Sequence, residues 1–115
     1  MRKLNLEDYT AYSKAPDQMI PGKLLDIQFP YPVKDSILTI MFSRELGLTG
    51  PELVKQTALA LKIEACKDKE ILLEEEEWRR LTSAIAVVKG FNRQDYELVQ
   101  RINNAEEVDV EETKK

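Results

Sequence analysis

The sequence contains no histidine and only one cysteine, Cys66. Histidine is the usual acid–base catalyst near neutral pH, the usual partner of serine and cysteine nucleophiles, and the commonest ligand of transition metals. A single cysteine excludes an internal disulfide, and without an imidazole to activate it Cys66 reads as a small buried hydrophobe. We therefore expect no enzymatic activity, no bound metal, no cofactor and no small-molecule substrate.

The sequence also lacks any apolar run near the ~20 residues that a membrane-spanning helix needs. Its first residues become acidic at Glu7 and Asp8, before the apolar core of a signal peptide could form. A net charge of −4 provides no general attraction to nucleic acid or to an anionic membrane. We expect a cytoplasmic protein, one domain of 115 residues, whose partners are other proteins.

Residues 1–33 hold four of the five prolines and show no sustained helical period. Proline removes a backbone donor and fixes φ, so this part is predicted to be an extended N-terminal arm, with a strand at 23–29. The arm docks either on its own domain or on a neighbouring subunit, and the sequence leaves both open. Tyr9, Tyr12 and Tyr31 would anchor it to a partner, since tyrosine joins an apolar body to a polar tip.

Residues 34–105 are predicted to form a helical domain. Its first segment, 35–46, is apolar nearly all round and is either a helix or a buried strand; its length and the N-cap Asp35 favour a helix. The next helix is predicted from Pro51 to about Lys67, because Thr49 and Glu52 form a capping box in front of it.

The helix at 51–67 carries two apolar stripes on nearly opposite sides. One stripe contains Val54, Ala58, Leu61 and Ala65, and the other contains Leu59, Ile63 and Cys66. Two stripes require contact on two sides, so either the helix is central to the bundle or its second stripe meets another chain. We therefore add Leu59, Ile63 and Cys66 to the three tyrosines as candidate partner-binding residues.

Two further helices are predicted within 74–104, joined by a corner at Gly90. The glutamates 74–77 begin the first helix, where anions are favourable, and they cannot converge on one metal because successive positions are ~100° apart. Glu75–Arg79 and Glu76–Arg80 are predicted ion pairs. The acidic tail, 106–115, alternates Val108 and Val110 with acids. It either adds a short edge strand to residues 23–29 or is for the most part mobile, and the sequence favours the second.

A helix–corner–helix also raises the hypothesis of a DNA-binding protein or transcription regulator, with Arg93 and Arg101 facing the nucleic acid. Glu97 lies four residues from each arginine, so the exposed face is a mixed charge ladder rather than a basic stripe. A third hypothesis is an inhibitor whose acidic surface, 74–77 with the tail, occupies a basic site on a host protein.

The segment ILLEEEEWRRLTSAIAVVKGFNRQDYELVQRINNAEEVDV, residues 71–110, resembles the C-terminal halves of small, uncharacterised accessory proteins of tailed bacteriophages. The resemblance implies a viral accessory or structural role, located in the host cytoplasm or the virion, and it places no catalytic motif on this sequence.

Taken together, these observations predict a mainly α protein. It would be a small domain of three to four helices with an extended N-terminal arm, with or without a short two-stranded β ribbon. The leading functional hypothesis is a non-enzymatic protein-interaction or assembly module that forms an oligomer or docks on a larger complex. Nucleic-acid binding and inhibition of a host protein are the alternatives.

Overall fold

The computed structural model describes residues 1–108, which form an α+β fold. Strands and helices follow one another along the chain, with two short 3-10 turns. In chain order the elements are β1 (Arg2–Asn5), β2 (Tyr9–Pro16), β3 (Leu24–Tyr31), α1 (Val33–Met41), a 3-10 turn (Arg44–Leu46), α2 (Gly50–Ala65), β4 (Glu70–Leu73), α3 (Glu75–Val87), a 3-10 turn (Arg93–Asp95), α4 (Tyr96–Asn103) and β5 (Glu106–Glu107). The prediction of a mainly α fold is wrong, because these strands form a three-stranded sheet and a separate two-stranded one.

The three-stranded sheet is antiparallel in the order β4-β1-β5, with the N-terminal strand at its centre. Leu4 lies opposite Ile71, and Lys3 lies opposite Glu106 on the other edge. Leu4, Ile71 and Leu73 are all buried, so this face of the sheet covers the helices. The start of the chain is therefore part of the core, whereas the sequence pattern predicts it to be arm.

The second sheet is a long hairpin of β2 and β3. Its register runs from Tyr9 opposite Tyr31 to Pro16 opposite Leu24. β3 covers the strand predicted at 23–29, but its partner is β2 and not the tail. Residues 106–107 pair with β1 instead, which corrects the predicted ribbon, and Val110 lies outside the described residues.

The helices begin and end largely where local signals predict. Thr49 and Glu52 form the capping box of α2, with the Glu52 amide 3.4 Å from Thr49 Oγ1, which confirms that prediction. Gly90 adopts a positive φ of 92° in the corner that follows α3. The segment predicted at 35–46 is α-helical only as far as Met41. The helix begins earlier, at Val33, so Asp35 lies inside it and is not its N-cap. The Val33 amide donates to Asp8 Oδ1 at 2.9 Å.

The core lies between the three-stranded sheet and the helices. Residues from all four helices and from both sheets contribute to it, and those from the hairpin lie at its base. The largest fully buried side chains are Leu4, Ile37, Met41, Ile63, Leu73, Leu81, Leu98 and Ile102. The predicted stripe of α3 faces this core, with Leu81 buried and Trp78, Ile85 and Val88 partly buried against it.

The molecule is elongated, with extents of 61 × 34 × 22 Å and a radius of gyration of 16.8 Å. A compact chain of this length would have a radius of about 13 Å. Almost every residue of the hairpin beyond its base is exposed, so the hairpin projects from the body. None of the helices within residues 1–108 is long and apolar enough to cross a bilayer.

Candidate protein-interaction site

The base of the hairpin is fixed to the body by two stacked tyrosines. The rings of Tyr9 and Tyr31 lie 4.7 Å apart and 14° from parallel. Tyr9 donates a hydrogen bond to the Gln94 carbonyl at 2.7 Å and accepts one from the Leu98 amide at 3.3 Å. Two of the three tyrosines proposed as partner anchors therefore bind their own domain.

The Tyr31 hydroxyl donates a hydrogen bond to Asp95 Oδ1, and the residue is almost fully buried. Burial, followed by this hydrogen bond to a carboxylate, raises the pKa of Tyr31 well above its ordinary value of 10.0. Burial also raises the pKa of Tyr9. Both phenols therefore remain neutral donors at physiological pH, and they hold the hairpin base in one position.

Arg101 completes the attachment. Its guanidinium lies 5.0 Å from the centre of the Tyr9 ring, and it donates to the Glu7 carbonyl and to Glu97 Oε2, each at 2.6 Å. An arginine engaged in this way is occupied inside the molecule. The observation weighs against the nucleic-acid hypothesis, in which Arg101 faces a phosphate or a base.

Beyond its base the hairpin has two chemically different faces. We call residues 12–28 the distal hairpin. Cross-strand partners share a face, so the side that buries Ala11 and Phe29 continues outward. We call this continuation the inner face; it consists of Ser13, Ala15, Leu25 and Ile27. The opposite face is polar in part, with an ion pair between Lys14 Nζ and Asp26 Oδ1 at 2.6 Å.

The tip of the distal hairpin is an ordered turn. Asp17 Oδ1 accepts hydrogen bonds from the amides of Met19 and Ile20, at 2.8 and 3.3 Å. The Asp17 amide donates to the Lys23 carbonyl at 2.9 Å, and Gly22 supplies the positive φ of 83° that the turn requires. The turn presents Met19 with 88% of its surface exposed.

Apolar exposure in this protein concentrates on the distal hairpin. Half of the large apolar side chains exposed in residues 1–108 lie on it, although it holds a small fraction of those residues. They are Tyr12, Met19, Ile20, Leu24, Leu25 and Ile27. Leu25 and Ile27 lie on the inner face, Tyr12 and Leu24 on the opposite face, and Met19 and Ile20 at the tip. Exposed apolar clusters are typical of sites for another protein.

Tyr12, the third predicted anchor, is the exposed one, at 62%. It lies on the face opposite Tyr9 and Tyr31 and lines a cleft of about 520 Å³ between β2 and α4. Tyr96 and Arg93 line the other side of that cleft. Of the three tyrosines, Tyr12 alone is placed where a partner could reach it.

The structure buries the stripe of α2 that the partner-binding hypothesis expects to be exposed. Leu59 and Ile63 are 2% and 0% exposed and belong to the core, so they cannot contact a partner in this structure. Cys66 is half-buried at the end of the helix, with Sγ 3.6 Å from the Glu70 carbonyl. The other stripe faces outward, and we call it the outer stripe; it comprises Leu53, Val54, Ala58, Leu61 and Ala65.

Sequence reasoning could not choose between these stripes, because each is apolar and each follows helical spacing. The buried side also contains Gln56, which lies on the same side of the helix as Leu59 and Ile63. Its amide nitrogen donates to the Met41 carbonyl at 3.1 Å and its oxygen accepts from Arg80 at 3.2 Å. A glutamine on the buried side is a tertiary arrangement that no local pattern indicates.

The glutamates at the start of α3 are engaged within the fold. Glu75 accepts from Arg2 at 2.7 Å, and this hydrogen bond lowers the pKa of Glu75. Glu77 accepts from Lys62 at 2.7 Å. The Glu75–Arg79 pair is present at 4.0 Å, whereas Arg80 binds Gln56 instead of Glu76. In residues 1–108 no group of three or more acidic or cysteine side chains is arranged to hold a metal ion.

No family model, no curated protein and no solved structure matches the chain.

Proposed function

We propose that this chain is a non-enzymatic protein-interaction module whose distal hairpin docks on a protein partner. The observation that carries the proposal is the inner face, which continues outward from the core and leaves Leu25 and Ile27 41% and 40% exposed within residues 1–108. The tip adds the exposed Met19 and Ile20, and the tyrosine pair attaches the base of the hairpin to the body.

The low stability expected of an isolated hairpin favours an interaction role over a purely structural one. A two-stranded hairpin is only marginally stable without something packed on its apolar face. Within residues 1–108, Leu25 and Ile27 of the inner face keep 41% and 40% of their surface exposed, so the packing there is incomplete. A partner packed on the inner face would supply the missing stabilisation, which makes an exposed apolar hairpin suited to docking.

The resemblance of residues 71–110 to accessory proteins of tailed bacteriophages supports a role in a viral assembly or in the infected cell. In this form of the proposal, the body is a scaffold that presents the distal hairpin to a larger complex.

The test is a pair of aspartate variants in an extract of the native source. Leu25→Asp with Ile27→Asp places charge on the inner face, while Leu24→Asp places the same charge on the opposite face of the same strand. After chemical cross-linking, we expect the wild type and Leu24→Asp to migrate in the same specific complex and the double variant to be lost from it. A wild-type chain that forms no complex of any kind would contradict the proposal.

A further inference from the structure

A cleft of about 390 Å³ lies on the body of the protein, between α2, α3 and residues 46–48. None of its lining residues belongs to the distal hairpin. The apolar part of its wall consists of Leu46, Leu48, Ala84 and Val87. Its polar part includes Arg80 and Ser83. An apolar wall beside a few fixed polar groups is typical of a site for a small ligand or a chain end.

Arg80 is held in this cleft by a neutral side chain. Gln56 is 2% exposed and is the one buried amide or charged side chain in residues 1–108. Its amide nitrogen donates to the Met41 carbonyl at 3.1 Å, and its oxygen accepts from Arg80 Nη1 at 3.2 Å. An amide fixes the direction of the guanidinium but cannot neutralise its charge. The positive charge of Arg80 is therefore both positioned and available to an anion.

The carboxylates nearest to Arg80 are engaged with other groups. Glu76 precedes it by four residues on the same helix, the spacing of an ion pair, but its Oε1 lies 3.9 Å from Lys55 Nζ instead. Glu52 accepts from the amide and the hydroxyl of Thr49 in the capping box of α2. Within residues 1–108 no ion pair includes Arg80, although this side chain is partly buried.

We propose that this cleft binds a monocarboxylate that carries a short aliphatic chain. The carboxylate accepts from the free N–H groups of Arg80, whose planar guanidinium matches two carboxylate oxygens. The aliphatic chain lies on Leu46, Leu48 and Val87, which removes apolar surface from water on both sides. A free short-chain acid and the C-terminus of a peptide that ends in leucine both present this chemistry.

The charges of the lining favour one negative charge on the ligand. Arg79 and Arg80 line the cleft together with Glu52 and Glu76, so the four formal charges sum to zero. A phosphate dianion would meet stronger repulsion from the two glutamates than a carboxylate would. Inorganic phosphate is therefore expected to bind more weakly than a monocarboxylate.

The experiment titrates sodium hexanoate into isotope-labelled protein and follows the amide chemical shifts by NMR. We expect saturable shifts that are confined to residues around the cleft. Hexanamide has the same chain without the charge, and it should bind roughly tenfold more weakly because it loses the charge-assisted hydrogen bonds. N-acetyl-alanyl-leucine tests the peptide source: tighter binding than hexanoate assigns the carboxylate to a chain end, and weaker binding assigns it to a free acid.

Two variants and a matched control assign the binding to Arg80. Arg80→Gln should weaken hexanoate binding roughly tenfold and leave hexanamide binding unchanged. Arg93→Gln removes the same charge outside the cleft and should bind hexanoate as the wild type does. Val87 is 45% exposed, so Val87→Asp should fold, keep Arg80 in place and lose hexanoate binding through repulsion. This second variant decides the test if circular dichroism shows that Arg80→Gln is unfolded.

Three results would overturn the proposed site. The first is a wild type whose cleft amides do not shift with hexanoate. The second is equal affinity of the wild type for hexanoate and hexanamide, since the cleft would then bind the chain alone. The third is unchanged hexanoate affinity in folded Arg80→Gln or in Val87→Asp, which would leave Arg80 only a structural link between α2 and α3. These results do not bear on the distal hairpin, which contributes no residue to the cleft.

Discussion

At the scale of single residues, the tyrosines of the hairpin show how one residue type serves two purposes. Tyr9 and Tyr31 have apolar rings buried in a stack and hydroxyls bound to Gln94 and Asp95. Tyr12 is exposed on the other face of the same strand. Sequence reasoning treated the three alike, because their different environments depend on a segment more than sixty residues away.

Removing the Tyr31 hydroxyl should lower stability. Tyr31→Phe keeps the ring in the stack but leaves Asp95 without this donor, so we expect the free energy of unfolding to fall by about 1–2 kcal/mol. Urea denaturation measures the change. Tyr12→Phe is the matched control and should alter stability by less than about 0.5 kcal/mol. Equal effects from the two substitutions would show that the hydroxyl of Tyr31 is not bound in solution.

The raised pKa values of Tyr31 and Tyr9 predict how stability depends on alkaline pH. Both phenols are held protonated in the folded state more strongly than in the unfolded chain, whose tyrosines titrate near 10.0. Their contribution is therefore complete below pH 10 and is lost as the pH rises above it. We expect the free energy of unfolding to decline more steeply above pH 10 in the wild type than in Tyr31→Phe. Parallel pH profiles would contradict this linkage.

At the scale of elements, helix ends could be predicted and strand partners could not. The capping box at Thr49 and the positive φ at Gly90 involve residues within one turn of each other, so the sequence contains the whole signal. β1 and β4 are four residues each and pair across more than sixty residues of chain. Strands that short carry little alternation, and nothing local indicates the partner.

The hairpin was missed for a related reason. On β2 the inner positions are Ala11, Ser13 and Ala15, whose small side chains contrast weakly with the polar ones between them. Period-two alternation is therefore faint, and the prolines that flank the turn favour an irregular segment instead. The same weakness affects the candidate site: Leu25 and Ile27, which the structure exposes, fall on one side of the strand predicted at 23–29 but are not among the predicted partner-binding residues.

The free energy of unfolding should respond differently to substitutions in β1 and in the distal hairpin. Leu4 is buried at the centre of the three-stranded sheet, so Leu4→Ala is expected to cost about 2–5 kcal/mol. Leu25 lies on the uncovered inner face, so Leu25→Ala should cost less than about 0.5 kcal/mol in the monomer. Thermal melting at low protein concentration compares them. Similar losses would mean that the distal hairpin is part of the core, or that β1 is not.

At the scale of the whole molecule, the fold separates a packed body from an element that projects from it. The body buries Leu4 of β1, Ile71 and Leu73 of β4 and one face of each helix. The uncovered apolar surface lies mainly on the distal hairpin and the outer stripe of α2. These two surfaces hold nine of the twelve large apolar side chains that are exposed in residues 1–108.

The most direct test of this account is recovery of the chain in a cross-linked complex from an extract of the native source. The comparison is between Leu24→Asp and the variant with Leu25→Asp and Ile27→Asp, which carry charge on opposite faces of the same strand. We predict that the first joins the same complex as the wild type and that the second is lost from it. If both variants associate to the same extent, the inner face of the distal hairpin is not a docking surface.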